Sequence, residues 1–257
     1  MTLLLELTGL LRLAGVALFL LIWEIAGRHL GDSLLAPPSP VALELAALCG
    51  DVAALTTIWV SIAPALAGFA IARCIGMPLG AVIRRSPVWN ALIHPRVSLF
   101  VVTSVAVIVP ILILLAGTGW WFVVAVVVLS SVWYVTPTTY QGAVRIDRRW
   151  LDAGRSFVAS RVQASRVQAF WAIMLPALFP YVLAGARIGL IHAIRSMVLA
   201  QLFIVSGIGG MLNDASMDIS TSRLLALLVA IMGIGLVANH GLGRVADWLA
   251  PWQRVAR

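Results

Sequence analysis

From Val97 to Val144 the chain reads VSLFVVTSVAVIVPILILLAGTGWWFVVAVVVLSSVWYVTPTTYQGAV, without a single charged side chain. A helix crossing the hydrocarbon core of a bilayer needs about 20 predominantly apolar residues, so this stretch is long enough for two crossings. Near its middle, Gly117-Thr118-Gly119-Trp120-Trp121 supplies turn-forming glycines and aromatic rings suited to a membrane interface. The run shows no polar–apolar alternation of the kind a barrel strand requires. Backbone groups in lipid must find their hydrogen-bond partners within the segment. The stretch therefore predicts an all-α integral membrane protein.

The rest of the chain agrees. Of 257 residues, 61% are hydrophobic and 11% charged, and the mean hydropathy is +1.02. Soluble domains carry about 25% charged residues, so a soluble enzyme, a disordered chain, a coiled coil and a secreted disulfide scaffold are all excluded. Every one of the 18 basic residues is Arg. Without Lys there is no Walker A phosphate loop and no Schiff-base chemistry, so the chain has no P-loop of its own with which to use ATP. Cys49 and Cys74 offer no disulfide framework. His29, His94, His192 and His240 share no metal-ligand spacing, and neither His-Glu-x-x-His nor Gly-x-Ser-x-Gly occurs. No catalytic residue and no metal site is expected.

Other uncharged runs place six spans near residues 10–29, 55–84, 97–116, 120–139, 177–205 and 223–244. Arg12 and Glu24 bound the first and could snorkel to opposite interfaces. A signal peptide is disfavoured there, because Trp23-Glu24-Ile25-Ala26-Gly27 is no small-residue cleavage site. Arginines gather in the N-terminus, the 84–96 loop, the 140–176 loop and the C-terminal tail, against Arg28 and Arg223 on the opposite side. The positive-inside rule then puts both termini in the cytoplasm of a multi-pass inner-membrane protein. It also gives the net charge of +8 a topological cause, with no nucleic-acid partner implied.

The segment from Tyr140 to Pro176 is too long for a simple connection. It is basic and amphipathic, with Trp150, Phe157, Phe170 and Trp171 among its arginines. From these residues alone, a helix lying on lipid headgroups and a docking element for a cytoplasmic partner are both open.

Gly142-Ala143-Val144-Arg145-Ile146-Asp147, Ile173-Met174-Leu175-Pro176 and Leu183-Ala184-Gly185-Ala186-Arg187 resemble the permease subunits of bacterial ABC importers, above all the nitrate/sulfonate/taurine/bicarbonate group. Trp23-Glu24, Pro37-Pro38-Ser39-Pro40, Gly76-x-Pro78-Leu79-Gly80, Pro110, Gly117-x-Gly119 and Gly207-x-Gly209 fit the same pattern. The family signature runs Glu-Ala-Ala, three residues, Gly, nine residues, Ile-x-Leu-Pro. Here Asp152-Ala153-Gly154 stands for the first triplet, Val158 for the Gly, and Ile173, Leu175 and Pro176 for the end. Fourteen residues separate Val158 from Ile173, because Ala159-Ser160-Arg161-Val162-Gln163 is repeated as Ala164-Ser165-Arg166-Val167-Gln168. Kept helical, five extra residues would add about 7.5 Å and about 140° of rotation. A bulge that leaves the docking surface in place is the expectation.

The resemblance implies a single permease domain over 1–257, whose 140–176 loop supplies coupling helices to a separate ATPase subunit. It further implies two copies of that ATPase, a second copy of this chain, and a periplasmic or lipid-anchored substrate-binding protein. ATP and Mg would be bound by the ATPase, with no cofactor in this chain. Asp152, Ala153, Gly154, Val158, Ile173, Leu175 and Pro176 are the implied coupling residues.

Arg187 and Arg195 lie about 80° apart on the fifth span. No Asp or Glu falls in spans two to six to pair with them. Buried membrane cations face a bundle interior or water, so Arg195, with Arg187 and Gln201, is a candidate pathway residue for a small anion such as a sulfonate, nitrate or carboxylate. Arg187, near the cytoplasmic end of its span, is read first as snorkelling, Gln201 could hydrogen-bond another helix, His192 suits an interhelical hydrogen bond, and Arg73 a structural contact. The rival is a stand-alone secondary transporter or channel, which should carry coupling carboxylates within its spans.

Overall fold

In a computed structural model the chain is described over residues 2–31, 34–85, 87–145 and 175–249. All regular structure among the described residues is α-helical. The helices are α1 (Thr2–Leu30), α2 (Pro38–Gly50), α3 (Val52–Arg85), α4 (Pro87–Val102), α5 (Val105–Ala116), α6 (Trp120–Arg145), α7 (Leu175–Phe203), α8 (Gly207–Met217) and α9 (Thr221–Leu249).

Five apolar stretches are long enough to cross a bilayer: Leu11–Leu30, Val52–Gly80, Trp120–Gly142, Tyr181–Phe203 and Thr221–Ala246. They coincide with five of the six expected spans. The sixth expected span, 97–116, is built differently. α4 ends at Val102, Ser104 is extended (φ −67°, ψ 126°), and α5 restarts for 12 residues. The Thr103 hydroxyl turns back onto the Leu99 carbonyl at 2.9 Å, and the Val107 N–H takes the Ser104 carbonyl at 3.1 Å. Hydroxyl side chains that bond locally in this way compete with the helix ladder. α5 alone spans about 18 Å, short of a core about 30 Å thick. It stops at Gly117, whose φ of 69° reverses the chain before α6.

The chain divides into two compact units. The first comprises Met1–Val60 and Ile204–Ile234, the second Ser61–Phe203 and Gly235–Arg257. In the first, α1 presents Leu13, Phe19 and other apolar side chains outward, as lipid as solvent allows. α2 begins with Pro38, whose missing N–H costs nothing in a first turn. Asp51 then serves two helices. Its N–H bonds the Ala47 carbonyl at 3.0 Å to close α2, and its Oδ1 accepts the Ala53 N–H at 2.8 Å to open α3.

The second unit is organised around α6, the most buried of the five long apolar helices. Phe122, Val126, Val127, Val135, Thr136 and Thr139, spread around the helix, are all buried. Glycines let neighbouring backbones approach it, the means by which helices associate when lipid removes the hydrophobic drive. A methyl group at Gly68 of α3 would lie 2.7 Å from Val127, and one at Gly80 2.7 Å from the Thr136 carbonyl oxygen. Val135 is held from both sides: Cγ1 faces Gly76 of α3, and Cγ2 faces Gly189 of α7. The Ser131 hydroxyl crosses to the Gly189 carbonyl at 3.3 Å.

Candidate translocation path and coupling segment

The segment expected to couple to a partner is bracketed in the chain by α6 and α7. Asp152, Ala153, Gly154, Val158 and Ile173 lie outside the described residues, as does the duplicated pentapeptide. Leu175 and Pro176 form the first turn of α7. Where the segment leaves and re-enters, Gly142 of α6 faces the Tyr181 side chain so closely that no Cβ fits between them. The two helices stay together from there through Gly185 beside Thr138 and Gly189 beside Val135.

α7 carries the intramembrane polar residues, and the fold sends them in different directions. Arg187 lies six residues inside the start of the apolar stretch at Tyr181. Its guanidinium is directed at α9, with one terminal nitrogen 3.2 Å from where a methyl on Gly243 would sit. Gly243 is three residues from the end of its own apolar stretch at Ala246, so the head group reaches toward an interface while its Nε stays buried without a partner. Asn239, one helical turn before Gly243, holds a buried and unpartnered amide oxygen. Arg195 is instead exposed, within the apolar stretch Tyr181–Phe203. Gln201 is buried, only 4% exposed, with Oε1 unpaired. Arg187 and Arg195 share α7 and little else.

His192 was expected to hydrogen-bond a neighbouring helix. Its imidazole stacks instead on Tyr134 of α6, with ring centroids 3.4 Å apart and planes 9° apart. The residue before it, Trp133, stacks on Phe100 of α4 at 4.3 Å and 5°, leaving its buried Nε1 without an acceptor. Neither stack was legible in the sequence, where the only signal was a polar ring at mid-span on each helix. Arg73 behaves as expected of a structural residue, its guanidinium 5.5 Å over the Phe69 ring one turn earlier.

A second junction lies in the first unit. Glu24 near the end of α1 accepts the Ser39 hydroxyl at 2.7 Å, the Ser39 N–H at 3.1 Å and Arg28 Nε at 2.8 Å. The carboxylate thus satisfies a free N–H at the start of α2 from outside that helix. Trp23 Nε1 donates to the Ala36 carbonyl at 3.1 Å, and Gly27 sits against the Pro37 backbone. Trp23-Glu24 and Pro37-Pro38-Ser39-Pro40, two separate motifs in the sequence, are the two halves of one lock. Among the described residues no group of three or more His, Cys, Asp or Glu could hold a metal ion.

Such a fold, polytopic and helical with cations but no acids in its later spans, is that of a membrane transport subunit. Residues 72–255 match the family of binding-protein-dependent transport system inner membrane components, and the chain belongs to that family. It is 27% identical over 252 residues to a probable ABC transporter permease protein of Brucella abortus, covering 95% of this chain and 99% of that one. It is 26% identical to the taurine transport system permease of Escherichia coli (90% and 84% covered) and 24% identical to the bicarbonate transport system permease of Synechococcus elongatus (95% and 88%). The chain is an ABC transporter permease.

Proposed function

We propose that this permease is the non-catalytic membrane subunit of an importer, working as two copies that enclose the path. Each copy engages one ATPase subunit through residues 140–176, with Asp152, Ala153, Gly154, Val158, Ile173, Leu175 and Pro176 at the contact. ATP and Mg belong to that partner. A periplasmic or lipid-anchored binding protein delivers the substrate to the face opposite the arginine-rich loops, and both termini lie in the cytoplasm. Arg195, with Arg187 and Gln201 on the same helix, lines or adjoins the path of a small anion such as a sulfonate, nitrate or carboxylate.

The observation that carries this reading is the position of the signature segment between α6 and α7, two helices locked together by glycine contacts along their length. A push on the segment moves both helices at once. Supporting it, the spans after the first lack the carboxylates that proton or sodium coupling would use. Affinity purification of the chain from its native membrane tests the reading. An ATPase bearing a phosphate-loop Lys should co-purify, and vesicles should take up solute only with ATP inside the ATPase-facing compartment. Uptake by the chain alone would refute it.

A further inference from the structure

We propose that one turn of α7, carrying His192 and Arg195 and braced by Tyr134 of α6, is an oxyanion-binding site at the middle of the membrane. The proposal deepens the reading of α7 as a wall of the path.

Depth comes first. His192 is eleven residues from each end of the Tyr181–Phe203 stretch, about 16 Å from either end. Arg195 is three residues further, so the two side chains leave the same side of the helix. At this depth an unpaired guanidinium is expensive and needs an anion or water.

No carboxylate pairs with Arg195 among the described residues, where the one salt bridge is Arg28 with Glu24. A second copy cannot supply an acid from spans two to six, because the sequence has none there. Glu24 is already engaged by Arg28 and Ser39.

The local chemistry then selects the ligand. Arg195 offers a planar fork of N–H donors that matches two oxygens of a carboxylate, sulfonate, bicarbonate or nitrate. His192 offers ring nitrogens at the edge of an imidazole whose plane is fixed by the Tyr134 stack. Guanidinium accepts no hydrogen bond, so an ammonium ligand finds repulsion at the same place. Tyr134 is a positioning residue: it holds the ring and need not touch the ion.

The test uses the full chain in phosphatidylcholine nanodiscs with 13C-labelled histidine rings. The His192 signal is assigned by its loss in H192N. Titration with methanesulfonate and with bicarbonate should move that signal saturably for at least one of them, and methylammonium should not. R195Q should weaken the apparent affinity about tenfold or more, R195K by less, and Y134A should broaden or displace the His192 signal before any anion is added. An unmoved His192 signal with both anions overturns the site, as does an unchanged affinity in R195Q whose ligand-free His192 signal matches the wild type. Snorkelling of Arg195 to a lipid phosphate would give that same unmoved signal. The ATPase question is independent: failure to co-purify an ATPase would sink the importer reading and leave this binding result standing.

Discussion

Replacing Gly189 with Ala tests whether α6 and α7 are packed as a unit. A methyl carbon at position 189 would stand 2.8 Å from Val135 Cγ2, about 1 Å inside ordinary methyl contact of about 3.8 Å. Val135 has little room to retreat, since it is fully buried and its other methyl fills the space over Gly76. Overpacking of this kind costs about 1–3 kcal/mol. V135A alone should cost about 1 kcal/mol, because in lipid the loss is of dispersion contacts and no transfer from water is involved. In G189A/V135A the new methyl enters the space Cγ2 has left. The pair should therefore cost about 1–2 kcal/mol less than the sum of the single changes. Unfolding by SDS titration in bicelles, followed by tryptophan emission, reads all four corners of the cycle. Additivity within about 0.5 kcal/mol would show that Val135 is not the clamped contact, and the tight α6–α7 account would fail.

Removing the indole donor in W23F should destabilise the first unit by about 1 kcal/mol and speed hydrogen exchange of the amides at Leu35 and Ser39; unchanged exchange there would dissociate Trp23 from the α1–α2 lock. Deleting Ala164–Gln168 should leave ATP-coupled uptake intact if the duplicated segment bulges from the docking surface, whereas collapse of uptake with normal expression would place the repeat in helical register. G142L, which forces α6 away from Tyr181 at the mouth of the coupling segment, should lower uptake several-fold while the ATPase keeps turning over; loss of both together would mean that docking itself had failed.

The fold was legible in the sequence where a single physical signal dominated. Uncharged length located five crossings, because a bilayer punishes charge more than water punishes apolar surface. Within residues 97–116 it gave no sign of the break between α4 and α5, since hydropathy cannot see the Thr103 hydroxyl turning back onto Leu99 or the extended backbone of Ser104. Short amphipathic pieces such as α8 fell below any length signal, and Val205 (φ 48°) and Ile219 (φ 54°) on either side of it are β-branched residues in a conformation no propensity favours. The site was half legible. Intramembrane arginines announce themselves by charge, but their fates depend on what each faces. Arg187 meets a glycine on α9, Arg195 meets no protein partner among the described residues, and that difference is a property of tertiary packing. The Tyr134–His192 stack joins residues 58 positions apart, with nothing local to mark either one.

Whether the proposed coupling segment could move the mid-membrane turn depends on Pro137, which lies in α6 between Gly142 and Tyr134. A proline inside a helix forfeits one backbone hydrogen bond and is the natural place for a hinge. Here the surroundings oppose bending. The hydroxyls of Thr136, Thr138 and Thr139 bond back to carbonyls of Val132, Tyr134 and Val135, which by itself favours bending as at Thr103, so the bracing comes from packing. Gly185 receives Thr138 just after the proline, and Gly189 receives Val135 just before it, so α7 splints α6 across the weak point. Gly80 of α3 packs on Thr136 and Thr139 from another side. A displacement applied at Gly142 and Tyr181 would therefore be carried over eight residues, about 12 Å, to the turn where Tyr134 holds His192. Were Pro137 free to flex, the same displacement would be absorbed before it reached that ring. The close packing of Gly80, Gly185 and Gly189 around it is what makes a proline-bearing helix fit to transmit.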